Sequence, residues 1–242
     1  SALPKLGAGG ATSWSTRAGA FFSAEPLEGQ LAFLFPGEGS QYLGMFADLA
    51  LHFDEVREWL DFWRGLYADE PGATRTDIAF PPPTGLSPER RKALEARLHD
   101  MDVGSEAVMV GGMAMFSLLE SIGIAPDVML GHSSGESSAL AAARALPTDD
   151  RGRLADFIRP LNVVYQRVLA EGKIPTGALL AVGALPATMV HEIVAASGQA
   201  LQVAMDNCAN QLVLYGTREA VDAVQARLGA EGAICMPLPF DR

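Results

Sequence analysis

The 242-residue chain is about half hydrophobic (49%), enough for one sizeable core or two unequal lobes, and carries a formal charge of -11 spread over scattered acidic residues. That balance argues against nucleic acid or polyphosphate as a bulk electrostatic partner, though it leaves room for a local basic spot. No apolar run reaches the roughly 18 residues of a membrane span, the start lacks a signal pattern, and Cys208 and Cys235, without CxxC spacing, read as buried thiols in a reducing cytoplasm.

Residues 1–30, rich in Gly, Ala and Ser, read as a linker or the edge of a longer polypeptide. Residues 31–35 (LAFLF) form an apolar run stopped by Pro36-Gly37, the pattern of a buried strand entering a loop. Helical spacing covers 41–53 and continues through an aromatic-rich helix over 53–66, followed by a proline-rich loop over 71–86. Residues 87–101 open with Ser-Pro-Glu-Arg, a helix-start signature, and predict an exposed amphipathic helix. Residues 105–121 are apolar nearly all round and predict a buried helix. A strand over 127–130 then runs into Gly131-His132-Ser133-Ser134-Gly135-Glu136 and a helix over 136–144. A long helix over 149–171 is expected to kink or restart at Pro160.

From 177 onward the order is strand (177–182), helix (187–197), strand (201–205), strand (211–215), helix (218–228), strand (233–238). This βαββαβ order is the ferredoxin-like unit. The fold class is therefore α/β: an α/β-hydrolase-like parallel-sheet lobe over 31–175, incomplete, carrying a ferredoxin-like subdomain over 176–242.

Gly-x-Ser-x-Gly between a strand and a helix is a nucleophile elbow. The glycines allow a tight, strained turn that lifts the Ser133 hydroxyl clear of the sheet. The next helix aims its N-terminal amides at the site, with the Ser134 N–H as an oxyanion donor. The bland alternative is a turn serving chain reversal only, and His132 reads as locked in that turn rather than catalytic. A serine also needs a base. His52 and His99 lie on helices that read as exposed, and His191 begins the subdomain's first helix, so the histidine base is not in the chain.

Phe35-Pro36-Gly37-Glu38-Gly39-Ser40-Gln41 with Gly44-Met45 resembles the FPGQGSQ…GM opening of malonyl-CoA:ACP transacylases and polyketide synthase acyltransferase domains. GHSSGE resembles their GHSxGE, and Asp206-Asn207-Cys208-Ala209-Asn210-Gln211 stands where they have an Asn-rich loop. Glu38, Ser134 and the FIRPLN and DNCANQ wording look most like iterative enediyne or polyunsaturated fatty acid synthases.

The resemblance implies ping-pong transfer. Ser133 takes an acyl group, malonyl foremost, from CoA and passes it to the phosphopantetheine thiol of an acyl carrier protein. It implies neighbouring synthase domains, no cofactor, no metal and no membrane. The Glu38 backbone N–H would be the second oxyanion donor, although a carboxylate replaces the usual Gln there and would repel malonate unless turned away or protonated. Gln41, Asn162 and Asn207 are the further substrate-binding positions. The arginine that clamps malonate falls near Ile158, making Arg159 the candidate, with an exposed structural arginine as the alternative. Ser105-Glu106 stand where relatives place a glutamine. The family's histidine follows the subdomain's last strand, so acylation by these residues alone is expected to be slow or absent. The competing readings are a thioesterase on the same elbow and an inactive docking module.

Overall fold

The computed structural model describes residues 13–17, 19–26, 28–68, 75–81, 85–146, 150–173 and 176–238. Strands β1 (Ser13–Ser15) and β2 (Phe21–Ser23) pair antiparallel, with Trp14 stacked on Phe22, inside the stretch expected to be linker only. Residues 1–12, 18, 27, 69–74, 82–84, 147–149, 174–175 and 239–242 fall outside the described residues, and with them parts of the expected linker and proline loop, the start of the 149–171 helix and the extreme C-terminus.

The larger lobe is built on β3 (Ala32–Phe35) and β4 (Val128–Gly131), paired in parallel with Phe33 opposite Met129 and Leu34 opposite Leu130. Helix α1 (Ala47–His52) is shorter than expected, because Gly44 (φ 79) and Phe46 (φ 64) take left-handed backbone that breaks a helix begun at 41. Helix α2 (Asp54–Gly65) buries Val56, Trp59 and Trp63. A single turn, α3 (Thr76–Ala79), stands within the stretch expected to be loop. Helix α4 (Pro88–Leu98) starts at Pro88 because Ser87 Oγ accepts from the Arg90 N–H, and its Leu94 and Leu98 are buried, so it is not fully exposed.

Helix α5 (Met101–Ser121) is the spine of this lobe. By length and composition it could span a bilayer, contrary to the sequence expectation, but 72% of its apolar window is buried inside the protein, as a core helix is. It packs against α2 and against α6 (Gly135–Ala142), with Phe33, Phe35, Trp59, Trp63 and Met113 in one cluster. Helix α7 (Arg151–Ala170) is capped by Asp150 and continues as one helix through Pro160, without the restart that was one of the two expectations there.

The smaller lobe follows as β5 (Ala178–Gly183), α8 (Ala187–Ser197), β6 (Leu201–Cys208), β7 (Gln211–Gly216), α9 (Arg218–Ala230) and β8 (Ile234–Pro237). Its sheet is antiparallel, in the order β6-β7-β5-β8. Alternation divides the sheet's two faces. Leu180, Val182, Leu212 and Leu214 form a second core with Val190, Val221 and Val224, while Leu179, Ala181 and Val213 face the other lobe's cleft. Irregular pairing after Val203 and Asp206 carries β6 beyond its expected end. Cys208 is exposed, correcting the reading of it as a buried thiol, whereas Cys235 is half-buried and packs against the second core.

Candidate active site

Ser133 sits between β4 and α6 with φ 53, the left-handed region that costs a side-chain-bearing residue about 1–2 kcal/mol. The neighbouring glycines explain how that strain is held. A Cβ on Gly131 would overlap the Glu136 backbone, and one on Gly135 would overlap the Phe35 carbonyl oxygen. A Cβ on Gly37 would lie 2.7 Å from the His132 carbonyl oxygen and 3.0 Å from Ser133 Cβ. The β3 loop and the elbow therefore close on each other only with glycine at all three places. The His132 N–H donates to Phe35 O (3.0 Å) and the Glu136 N–H to Ser133 O (2.9 Å), completing the turn.

The same packing brings Gly37 beside the serine, while Ser134 stands at the N-terminus of α6 without a side-chain capping bond. Ser134 Oγ is buried without a hydrogen-bond partner among the described residues.

Ser133 opens into a cleft of about 920 Å³ between the lobes. Glu38, His99, Met101 and His132 line it from the larger lobe; Leu179, Met205, Asn207 and Met236 line it from the smaller. The Nε2–H tautomer of His132 donates to Asn207 Oδ1 (2.9 Å), and Asn207 Nδ2 donates to Gln211 Oε1 (3.3 Å). The turn that holds Ser133 is thus tied to β6. Burial pushes the Glu38 carboxyl above its ordinary value, partly offset by the nearby His99. His99 Nδ1 donates to the Glu95 carbonyl oxygen at 2.7 Å, which fixes its ring.

Of the residues singled out in the sequence, Ser133, Glu38 and Asn207 meet at this cleft. Gln41 does not line it. It is buried beneath the loop, accepting from the Gly39 N–H (2.8 Å) and donating to Leu98 O (3.3 Å). Arg159 is also off the cleft wall, because α7 turns its Nε to the Leu66 carbonyl oxygen (2.7 Å). Among the described residues the cleft lining contains no lysine or arginine.

Asn162 belongs to a buried cluster. Its Nδ2 donates to Glu106 Oε1, to the Tyr67 oxygen (2.9 Å) and to Asp102 O (3.1 Å). Glu106, 3% exposed, also accepts from Trp63 Nε1 (2.9 Å) and the Tyr67 hydroxyl (2.7 Å) and pairs with Arg75 (3.3 Å). Burial raises the Glu106 carboxyl, more than these partners lower it, and with help from Glu106 burial pushes the Tyr67 hydroxyl up to about 12. Burial also acts to raise Asp102, but the paired Arg97 and nearby Arg75 overcome it and hold that carboxyl below its ordinary range. These groups knit α2, α5 and α7 together behind the site.

His99, set aside in the sequence as lying on an exposed helix, lines the cleft. It reads as one more residue of an amphipathic helix, and only the approach of the 37–41 loop makes it part of the site. His52 and His191 are exposed and do not line the cleft.

The pattern that defines the acyl transferase domain matches residues 32–237, which takes in the elbow, the 36–41 loop and most of the small lobe. The chain belongs to the acyl transferase domain family. It is 31% identical over 214 residues to the malonyl CoA-acyl carrier protein transacylase of Escherichia coli strain K12, covering 87% of this chain and 62% of that protein. The solved structure of the corresponding transacylase from Coxiella burnetii superposes with a TM-score of 0.67 at 29% identity, over 88% of this chain and 62% of the other. A type II polyketide synthase acyl-carrier protein in complex with its malonyl-transacylase matches with a TM-score of 0.68 at 26% identity, over 88% and 63%. The chain thus spans just under two thirds of the length of these relatives. Its fold is the mixed α/β fold of such acyltransferases.

Proposed function

We propose that this chain is the nucleophile-bearing part of an acyltransferase that moves malonyl from CoA to the phosphopantetheine thiol of an acyl carrier protein, within a polyketide or fatty-acid synthase. The observation that carries the reading is Ser133 held in left-handed backbone in the lining of an inter-lobe cleft, with Gly37 packed against it. The architecture is read as an α/β-hydrolase-like lobe with a ferredoxin-like subdomain, the cleft lying between them.

Ser133 Oγ attacks the thioester carbonyl while a histidine base takes its proton. The oxyanion is held by the N–H groups of Glu38 and Ser134 and by the positive end of α6. Collapse expels the CoA thiolate, which recovers the proton, and leaves a Ser133 ester. The carrier thiol then attacks that ester, its proton passing through the base to Ser133 Oγ as the acyl group leaves. The sequence calls for no cofactor in these steps; CoA and the carrier arm are substrates, and a cytoplasmic setting suits both.

The test is to incubate the parent polypeptide with malonyl-CoA labelled in the acyl group. A stable label on the protein, lost in Ser133→Ala and discharged by a holo carrier protein, is the expected result. A label that persists in Ser133→Ala removes the serine from the mechanism, and discharge to water alone makes the protein a hydrolase.

A further inference from the structure

Two segments distant in the chain are joined at one wall of the Ser133 cleft. Gln41 accepts from the Gly39 N–H (2.8 Å) and donates to Leu98 O (3.3 Å), which bonds the 36–41 loop to the carbonyl end of α4. Gly104 lets them close, since a Cβ there would lie 2.9 Å from Gln41 Nε2 and 3.2 Å from Leu98 O. At the α4–α5 corner Arg97 holds Asp102 through two bonds (2.6 and 2.7 Å) and also reaches Asp100 (3.1 Å). His99 lies inside that clamp, and it lines the cleft together with Glu38, the neighbour of Gly39. Burial raises the Glu38 carboxyl and the charge of nearby His99 opposes that rise, so the two groups are within electrostatic reach.

Among the described residues, the ionisable side chains of the cleft lining near neutral pH are Glu38, His99 and His132. His132 is committed, its Nε2 donating to Asn207 Oδ1 (2.9 Å). The arginines behind this wall are committed as well, Arg97 to Asp100 and Asp102, and Arg75 to Asp102 and Glu106. His99 differs from them. Its Nδ1 donates to the Glu95 carbonyl oxygen (2.7 Å), which can only accept, so Nδ1 keeps its proton and Nε2 is the atom that takes one up or releases it. A proton gained there makes the ring a cation in the cleft wall.

We infer that His99 recognises the free carboxylate of a dicarboxylic acyl donor, with the Glu38 carboxylate as its partner until that donor binds. This role rests on the acyl-transfer reading and assigns the group that tells malonyl from a neutral acyl chain. The rest of the wall offers an anion little, since Met101, Leu179, Val213 and Met236 are apolar. Moving a carboxylate from water to such a wall is costly unless it is paired. A charge-assisted hydrogen bond from His99 supplies the pair. The like charge of Glu38 leaves when that carboxyl is protonated, the form that burial already favours. A neutral acyl group calls on neither residue.

The test follows Ser133 labelling of the parent polypeptide in single turnovers, with malonyl-CoA and acetyl-CoA each labelled in the acyl group and varied in concentration. His99→Asn keeps a donor for the Glu95 carbonyl oxygen while removing Nε2, so it separates recognition from the bracing of the corner. It should raise the apparent KM for malonyl-CoA about tenfold or more, the scale of losing a hydrogen bond to a charged group, and move that for acetyl-CoA far less. His99→Arg, a cation at every pH used, should hold the malonyl-CoA KM well below that of His99→Asn. An unchanged malonyl-CoA KM in His99→Asn overturns the inference. So does an equal rise for both donors, which makes His99 a brace only, and so does a wild type that shows no preference between them. Failure of the acyl-transfer reading looks different: the wild type is then labelled by neither donor, and the role of His99 falls with it.

Discussion

His132 Nε2 and Asn207 Oδ1 stand 2.9 Å apart, joining the turn that carries Ser133 to a strand of the other lobe. Both residues are exposed, so the bond adds little to stability, but it sets where the small lobe sits over the serine. Asn207→Ala should cost less than about 1 kcal/mol of unfolding free energy. It should lower kcat/KM for acylation about tenfold, equivalent to roughly 1.4 kcal/mol of transition-state stabilisation. Denaturant unfolding and pre-steady-state acylation of the parent enzyme would separate the two. A large stability loss with unchanged acylation would contradict this assignment.

The elbow makes a sharper prediction. Gly37→Ala places a Cβ 2.7 Å from the His132 carbonyl oxygen and 3.0 Å from Ser133 Cβ, in backbone that cannot move aside cheaply. Acylation should fall at least about a hundredfold, the scale of losing one oxyanion donor, while the far-UV circular dichroism spectrum is retained. Wild-type acylation in this variant would show that the 36–41 loop does not position the reacting atoms.

Glu38 yields a pH dependence. Its folded-state carboxyl is raised above the ordinary value of 4.5 by burial, so the folded protein holds that proton more tightly than the unfolded chain does. Its contribution to stability is complete below the unfolded value and is lost as pH rises through the folded one. Glu38→Gln should therefore match the wild type in melting temperature below about pH 4 and exceed it at neutral pH. It should also lower KM for an anionic acyl donor more than for a neutral one. Melting curves at the two pH values and a malonyl–acetyl comparison test both halves.

Glu106 should be the costliest polar position in the larger lobe. Glu106→Ala leaves Trp63 Nε1, the Tyr67 hydroxyl, Asn162 and Arg75 without their shared acceptor in a buried place. The expected loss is about 3–5 kcal/mol, as for breaking other buried charged networks. Urea unfolding reads it directly, and a loss under 1 kcal/mol would show that water replaces the carboxylate.

Much of the site was legible because it is local. The GHSSGE turn, the apolar strand before it and the helix after it lie within fifteen residues, and their glycines are demanded by backbone contacts that a short motif encodes. The βαββαβ order could also be read from strand and helix periodicity alone. What could not be read were distant encounters: His99 meeting Glu38 at the cleft, Gln41 turning inward to Leu98, and Arg159 reaching Leu66. Sequence spacing also suggested a helix from 41, which left-handed backbone at Gly44 and Phe46 prevents.

The sequence by itself determined the turn that carries Ser133 and the family, since each rests on short motifs of residues adjacent in the chain. Only the tertiary structure decided which polar residues face the cleft and which brace the core. Asn162 and Glu106 satisfy each other out of water, whereas Asn207 and His132 close the cleft, because a polar side chain's role is set by what folding places within hydrogen-bond reach.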